Sequence, residues 1–200
     1  MVEGLDGAGT TTQVTRIATW LRAAGHDVLQ TREPTEGPVG RVIRDVLAGR
    51  DGAPTMETLP WLFAADRADH LFREVEPALA RGTHVISDRY YHSSLAYQAL
   101  TLPLERVHAL NEDFRVPDLT VFVDVSVSVC LGRIASRADN EGMAREIFER
   151  ADFMERVHAS YQHVLDWLRR DGEPIVVVDG EAPVAEVEHA IQQHARTLLG

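Results

Sequence analysis

The sequence predicts an α/β fold in which a parallel sheet is flanked by helices. Three observations carry this. Short apolar runs alternate with longer stretches of helical periodicity along the whole chain. Two of the runs, around Val121-Phe122-Val123 and Ile175-Val176-Val177-Val178, are almost continuously apolar, as strands covered on both faces must be. A glycine-rich segment at the start leads directly into a helical pattern, so its backbone N–H groups and the helix's positive end point the same way.

The elements follow in order. Only Met1 and Val2 precede Glu3, so the first strand is a stub. A strand feeding such a loop ordinarily has about four to six residues, and the chain is expected to begin upstream of Met1. Thr11–Ala24 places Val14, Ile17, Ala18 and Leu21 on one stripe and stops at Gly25. His26–Thr31 reads as the second strand, Thr58–Arg81 as a long helix ended by Gly82, and His84–Ser87 as the third strand. Leu119–Val125 is a strand, Ser126–Arg137 and Ala144–Arg170 are helices, Pro174–Val178 is the last strand, and Val184–Leu199 closes the chain as a helix. No repeat, low-complexity tract or linker interrupts this order. Residues 1–200 therefore form one domain, long enough to bury a core without disulfide or metal support.

Composition narrows the partners. A net charge of −11 argues against a nucleic-acid polymer, which needs a basic face, but leaves room for a mononucleotide held by a few convergent arginines. The single cysteine, Cys130, lies in the apolar segment Val127–Ile134 and reads as a small buried residue. No intrachain disulfide is possible, so the cytoplasm is the expected compartment. No apolar run is long enough to span a membrane. Among the nine histidines, His158/His163 and His189/His194 are five residues apart, so neither pair shares a helix face; they read as solvated helix residues, not metal ligands.

The chemistry begins at Glu3-Gly4-Leu5-Asp6-Gly7-Ala8-Gly9-Thr10-Thr11-Thr12-Gln13. Gly4 and Gly9 have the Walker spacing, and Thr11 stands where a hydroxyl faces Mg²⁺, but the lysine position holds Thr10. Turned-in backbone N–H groups can still cradle phosphate oxygens. What is missing is the point charge that reaches the outer phosphates, and no other lysine can supply it, because all 20 basic residues are arginine.

Three further segments fall at strand C-termini or on adjoining helices, where ligands collect in such sheets. Arg32-Glu33-Pro34 precedes Gly37–Arg44; Glu33 can hold a basic residue or Mg²⁺-bound water, and Arg44 can face an anion, although a surface salt bridge explains either. In Leu62–His70, Phe63 and Arg67 project from the same side of a helix, giving a ring for stacking beside a guanidinium for a base carbonyl. A core phenylalanine with a solvated arginine fits the same spacing. In Ser87–Gln98, the Asp88-Arg89 pair suits the holding of a phosphate, with Ser94 and Tyr97 following toward one pocket.

Taken together, Glu3–Gln13, Arg32-Glu33-Pro34, Leu62–His70, Asp88–Gln98 and the run Glu149–Tyr161 resemble the ordered motif set of the thymidylate kinases across nearly the whole chain. The resemblance implies a P-loop NTPase-like three-layer sandwich with a five-stranded parallel sheet and a helical lid at about residues 133–148. It further implies ATP- and Mg²⁺-dependent phosphorylation of dTMP to dTDP, and a homodimer. On matching positions, Gly4, Leu5, Asp6, Gly7, Ala8, Gly9, Thr10 and Thr11 would bind ATP. Thr11 would face Mg²⁺, with Asp6 and Glu33 reaching the ion through water. Phe63 would stack on thymine, Arg67 would bond its carbonyl, Arg44 and Arg89 would hold the dTMP phosphate, Ser94 would approach the base N–H, and Tyr97 would crowd the 2′ side of the sugar. Glu33 and Asp88 complete the expected dTMP site, and Asp6, Arg89 and the lid residues Arg137 and Arg145 the catalytic set. The departures are Thr10, the sequence Thr35-Glu36-Gly37-Pro38 after Arg-Glu-Pro, and the short first strand. A catalytically impaired nucleotide-binding or regulatory protein, and a monophosphate kinase with another base preference, are the alternative readings.

Overall fold

The structure, a computed structural model, describes residues 1–136 and 144–199, the side chains of 144–149 excepted. Strands β1 (Val2–Gly4), β2 (Val28–Arg32), β3 (His84–Asp88), β4 (Thr120–Asp124) and β5 (Ile175–Asp179) form one sheet in the order β2-β3-β1-β4-β5. All pairs are parallel. The helices are α1 (Thr10–Ala23), α2 (Pro38–Leu47), α3 (Leu59–His70), α4 (Glu76–Ala80), α5 (Tyr91–Gln98), α6 (Leu104–Ala109), α7 (Val127–Ala135), α8 (Ala144–Arg170) and α9 (Val184–Arg196). Helix α1 packs on α9 along one side of the sheet, and α5 and α7 pack on α8. Phe122, Val157, Tyr161, Val164 and Leu168 are fully buried in the resulting core. The described residues contain no helix long and apolar enough to cross a membrane.

Several boundaries differ from the sequence reading for local reasons. Strand β2 starts at Val28, not His26, because the His26 N–H turns back to the Leu21 carbonyl and completes the end of α1. The expected helix over residues 58–81 is realised as α3 and α4 joined by a π-helical turn, Leu71–Val75. That wide turn sits just before Pro77, which has no N–H for the ladder and would crowd the preceding turn of a regular helix. Helices α5 and α6 carried too weak a periodicity to be placed in advance, and α2, whose Val39, Val42, Ile43, Val46 and Leu47 form a clear stripe, was not read as a helix although its pattern was there. His158 is not a solvated helix residue: its Nε2 lies 2.8 Å from Asp124 Oδ1 and ties α8 to the end of β4. No group of three or more metal-binding side chains occurs among the described residues.

The short first strand leaves a mark. Strand β3 pairs with β2 over its full length but with β1 only at Asp88, opposite Val2. Below β1 lies a cavity of about 510 Å³, lined by Met1, Val2, Leu71, Val85, Ile86 and Val121 among others. The Met1 ammonium faces the interior and donates to the Leu119 carbonyl at 2.6 Å, and burial pulls its pKa down to about 6.

Two predictions follow from this packing. A variant with four β-branched residues joined ahead of Met1 is expected to melt higher than this chain, because an extended strand can fill the cavity along β3. Each buried apolar side chain contributes ~1.5–3 kcal/mol against ~1–2 kcal/mol per residue ordered; an unchanged Tm would show that the cavity admits no strand. Cys130 is completely buried in α7, and burial pushes its thiol up to about 11. A thiol reagent at neutral pH should leave the folded chain unlabelled and label the unfolded chain once.

Candidate active site

Strands β1, β2 and β3 end at one edge of the sheet, where strand order reverses about β1, the place where open α/β sheets leave a crevice. The loop after β1 enters α1 through Gly9, whose φ of 95° is left-handed and which caps the helix at Thr10. Gly7 is held at φ 88°, and a Cβ there would lie 2.6 Å from the Cys130 carbonyl. Only glycine lets the loop lie this close under α7. Arg133 of α7 adds a clasp, donating Nη1 to the Ala8 carbonyl at 3.1 Å and Nη2 to the Gly180 carbonyl at 3.0 Å. Thr10, in the lysine position, is buried. A cleft of about 380 Å³ is lined by Leu5, Asp6, Gly7, Gly9 and Thr10–Thr12 on one side and by Arg32, Glu33, Pro34, Arg44, Asp88 and Arg89 on the other.

At the floor of the cleft the Thr11 hydroxyl donates to Asp88 Oδ2. The other oxygen, Asp88 Oδ1, is buried without a hydrogen-bond partner. A buried carboxylate oxygen left without a donor is costly, and beside a threonine hydroxyl it forms an oxygen donor set of the type a hard divalent cation takes. Asp88 thus keeps one oxygen free at the cleft beside the Thr11 hydroxyl. The sequence reading had placed Asp88 in the dTMP site.

Glu33 is committed elsewhere. Its Oε2 accepts from Arg67 Nε at 2.9 Å and lies 2.8 Å from Arg67 Nη2, and its Oε1 lies 3.0 Å from His70 Nδ1. Arg67 also donates to Asn111 Oδ1, and its Nη2 donates to Ser94 Oγ at 3.1 Å. The guanidinium stacks 5.2 Å from the Tyr90 ring centre and 5.7 Å from that of Phe114. Arg67 is 1% exposed, so the alternative of a solvated arginine is excluded. Phe63, one turn earlier on α3, packs half-buried against the cluster of Ile43, Val46 and Leu59. Phe63, Arg67, Ser94 and Tyr97 do not line the cleft itself; Glu33 and Arg89, which do, connect it to Arg67 and Tyr97.

Arg89 occupies φ 74°, a left-handed conformation rare for a residue other than glycine and often found at functional sites. It donates Nη2 to Asp6 Oδ1 at 2.7 Å and lies over the Tyr97 ring at 5.6 Å. Burial opposes its charge, but Tyr161, Tyr97, Asp6 and Glu3 around it hold its pKa well above the ordinary guanidinium value. Arg44 reaches back from α2 to the carbonyls of Pro34 (3.3 Å) and Thr35 (2.7 Å) and to Glu36 (3.0 Å). The same loop is gripped from α3 by Asp66, which accepts from the Thr35 N–H and hydroxyl, both at 2.7 Å. Arg137 and the side chain of Arg145 lie outside the described residues, as do residues 137–143 of the segment expected to be the lid, whose ends belong to α7 and to the start of α8.

Asp66, Asn111, Glu3 and Tyr161 were not singled out from sequence. An acid inside the apolar lead of a phosphate loop was a usable signal for Glu3, and Asp66 stands beside Arg67. For Asn111, brought in by the turn after α6, no local pattern existed.

Comparison with known proteins agrees with this geometry. The family model described as thymidylate kinase matches residues 2–191. A probable thymidylate kinase of Pyrobaculum calidifontis is 39% identical over 93% of this chain and 89% of its own length. The thymidylate kinase of Desulfosudis oleivorans is 39% identical over 93% and 90%. That of Caulobacter vibrioides is 38% identical over 99% and 95%. A three-layer fold, a phosphate loop facing an Asp-Arg strand end, and similarity along nearly the whole length agree: the chain belongs to the thymidylate kinase family.

Proposed function

We propose that this chain phosphorylates dTMP to dTDP with ATP as donor and Mg²⁺ as cofactor, and that Thr10 shifts part of the phosphate-binding work onto arginine. The observation that carries the reading is the convergence on one cleft of the glycine loop, of Thr11 bonded to Asp88, and of Arg44 and Arg89. Backbone N–H groups of Gly7–Thr11 suit the β-phosphate of the donor. Thr11 and Asp88 would hold Mg²⁺, which when bound neutralises charge between the outer phosphates. Arg44 and Arg89 would grip the acceptor phosphate bidentately. Phe63 would stack on the base, Ser94 and Arg67 would present hydroxyl and guanidinium to its edge, and Tyr97 would lie beside the sugar. Because phosphoryl transfer is mainly positioning and charge stabilisation, an acceptor phosphate that is already anionic needs little help from a base.

Asp6, paired with Arg89 across the cleft, sits between donor and acceptor and orients that arginine. We assign the cationic role of the missing lysine to Arg137 and Arg145, on sequence position alone. The expected setting is cytoplasmic. The expected assembly is a homodimer, for which the exposed Met56, Trp61 and Phe72 along the α3 side supply apolar surface.

An assay coupling ADP formation to added dTMP tests the function directly. Turnover with dTMP well above that with dGMP or CMP supports it; binding of dTMP without turnover would point instead to a regulatory protein. Phe63→Ala should raise the KM for dTMP by roughly 5- to 100-fold, since base stacking is worth ~1–3 kcal/mol, and leave the KM for ATP unchanged. Loss of Arg137 or Arg145 should lower kcat far more than it weakens ATP binding, because an arginine finger acts chiefly in the transition state. Thr10→Lys should reduce that dependence. If alanine at both arginines leaves kcat within about threefold, ~0.7 kcal/mol, the cation comes from elsewhere.

A further inference from the structure

We propose that Glu3 is a positioning residue that sets both the backbone and the guanidinium of Arg89, through the Tyr90 N–H and the hydroxyls of Ser93 and Tyr161. Glu3 is the central residue of β1, the middle strand of the sheet, and has no exposed surface. Its Oε1 accepts from the Tyr90 N–H at 2.7 Å, the peptide that directly follows the left-handed Arg89. Its Oε2 accepts from the Ser93 hydroxyl at 2.6 Å and from the Tyr161 hydroxyl at 3.0 Å. The two hydroxyls also lie 2.8 Å from each other, so their protons are shared between Glu3 and one another and a lone pair on each remains for a donor. Arg89 Nη1 donates to both, at 3.0 Å to Ser93 Oγ and 3.2 Å to the Tyr161 oxygen. The hydroxyls thus relay the carboxylate to the guanidinium without direct contact between acid and base.

The geometry explains two features that are otherwise unrelated. A non-glycine residue in the left-handed region needs its neighbourhood to over-determine it, and the bond from Tyr90 to a buried acid does so. A guanidinium with several donors can swing between partners. Here one end is fixed on two hydroxyls, and Nη2 is left to Asp6 at the mouth of the cleft. Glu3 also faces His92, whose Nδ1 is 3.8 Å from Oε1. A purely structural acid would not need to join the main chain, α5 and α8 at the one arginine of the strand end.

The inference rests on the reading of Arg89 as a phosphate ligand, and a double-mutant cycle separates the two. Arg89→Ala alone should lower kcat/KM for dTMP by about 100-fold or more; if it does not, the reading of Arg89 fails. Glu3→Gln keeps the shape but cannot accept all three bonds, and should cost about 10- to 100-fold in kcat with less than threefold change in the KM for ATP. In the Arg89→Ala background the same change should cost less than about threefold, because the group it positions is gone. Should Glu3→Gln fold poorly, Tyr161→Phe and Ser93→Ala remove the relay one hydroxyl at a time and should show the same dependence on Arg89. Losses that simply multiply with that of Arg89→Ala, or a Glu3→Gln enzyme within twofold of the parent, would overturn the proposal.

Discussion

The carboxyl group of Glu3 lies within the middle strand, with no exposure to water, and a buried acid is tolerable only when donors surround it. Those donors come from the peptide after β3, from α5 and from α8. Because β1 lies between β3 and β4, satisfying one side chain draws the strand end, the following helix and the long helix together at the cleft. The apolar core sets how the layers stack. The acid within β1 sets where these elements meet, and with it where Arg89 points.

A second buried acid repeats the arrangement one layer away. Glu33 directly follows β2 and is matched by Arg67 and His70 from α3, while Thr31 lies 2.7 Å from His70 Nε2. Breaking such a pair by removing one partner leaves an uncompensated buried charge, typically costing ~3–5 kcal/mol. For this reason Phe63 is a cleaner probe of base recognition than Arg67, whose removal would disturb folding and binding together. The two acids divide the edge between them: one orders the surroundings of Arg89, the other those of Arg67.

Much of this was legible in the chain. The strand runs were strong because parallel strands must be apolar on both faces, and α1, α8 and α9 carry long periodic stripes. Helices α5 and α6 were not, since α5 is buried nearly all round, with Tyr91, His92, Leu95 and Ala96 inside, and α6 is only six residues long. Sequence order brought Gly4–Thr11, Glu33, Asp88 and Arg89 to one edge correctly, because strand C-termini share an edge in a parallel sheet. It could not say which acid meets which base. Glu33 was open between holding a basic residue and Mg²⁺-bound water, and it holds Arg67, whereas Asp88 lies beside Thr11 with an oxygen to spare. That sorting depends on strand register, Arg32 opposite Asp88 and Val2 opposite Asp88, and register is not written in any single motif.

Arg67, Arg89 and Arg44 of this lysine-free chain differ in which of them can exchange its partner for a ligand. Arg67 is buried and paired with buried groups, so surrendering a partner to a ligand would strand Glu33. Arg89 and Arg44 pair with Asp6 and Glu36, whose side chains are 58% and 68% exposed. Exposed pairs contribute only ~0–1 kcal/mol, and the acid set aside can return to water at little cost. A phosphate offers the same guanidinium a doubly charged partner with several acceptor oxygens, and charge-assisted bonds of that kind are about twice as strong as neutral ones. The exchange is therefore downhill at the cleft and uphill in the interior. In a protein of net charge −11, holding each cleft arginine against an exposed acid also keeps its side chain ordered without neutralising it for good. Positive charge is thus available where an anion enters, although the chain as a whole repels anions.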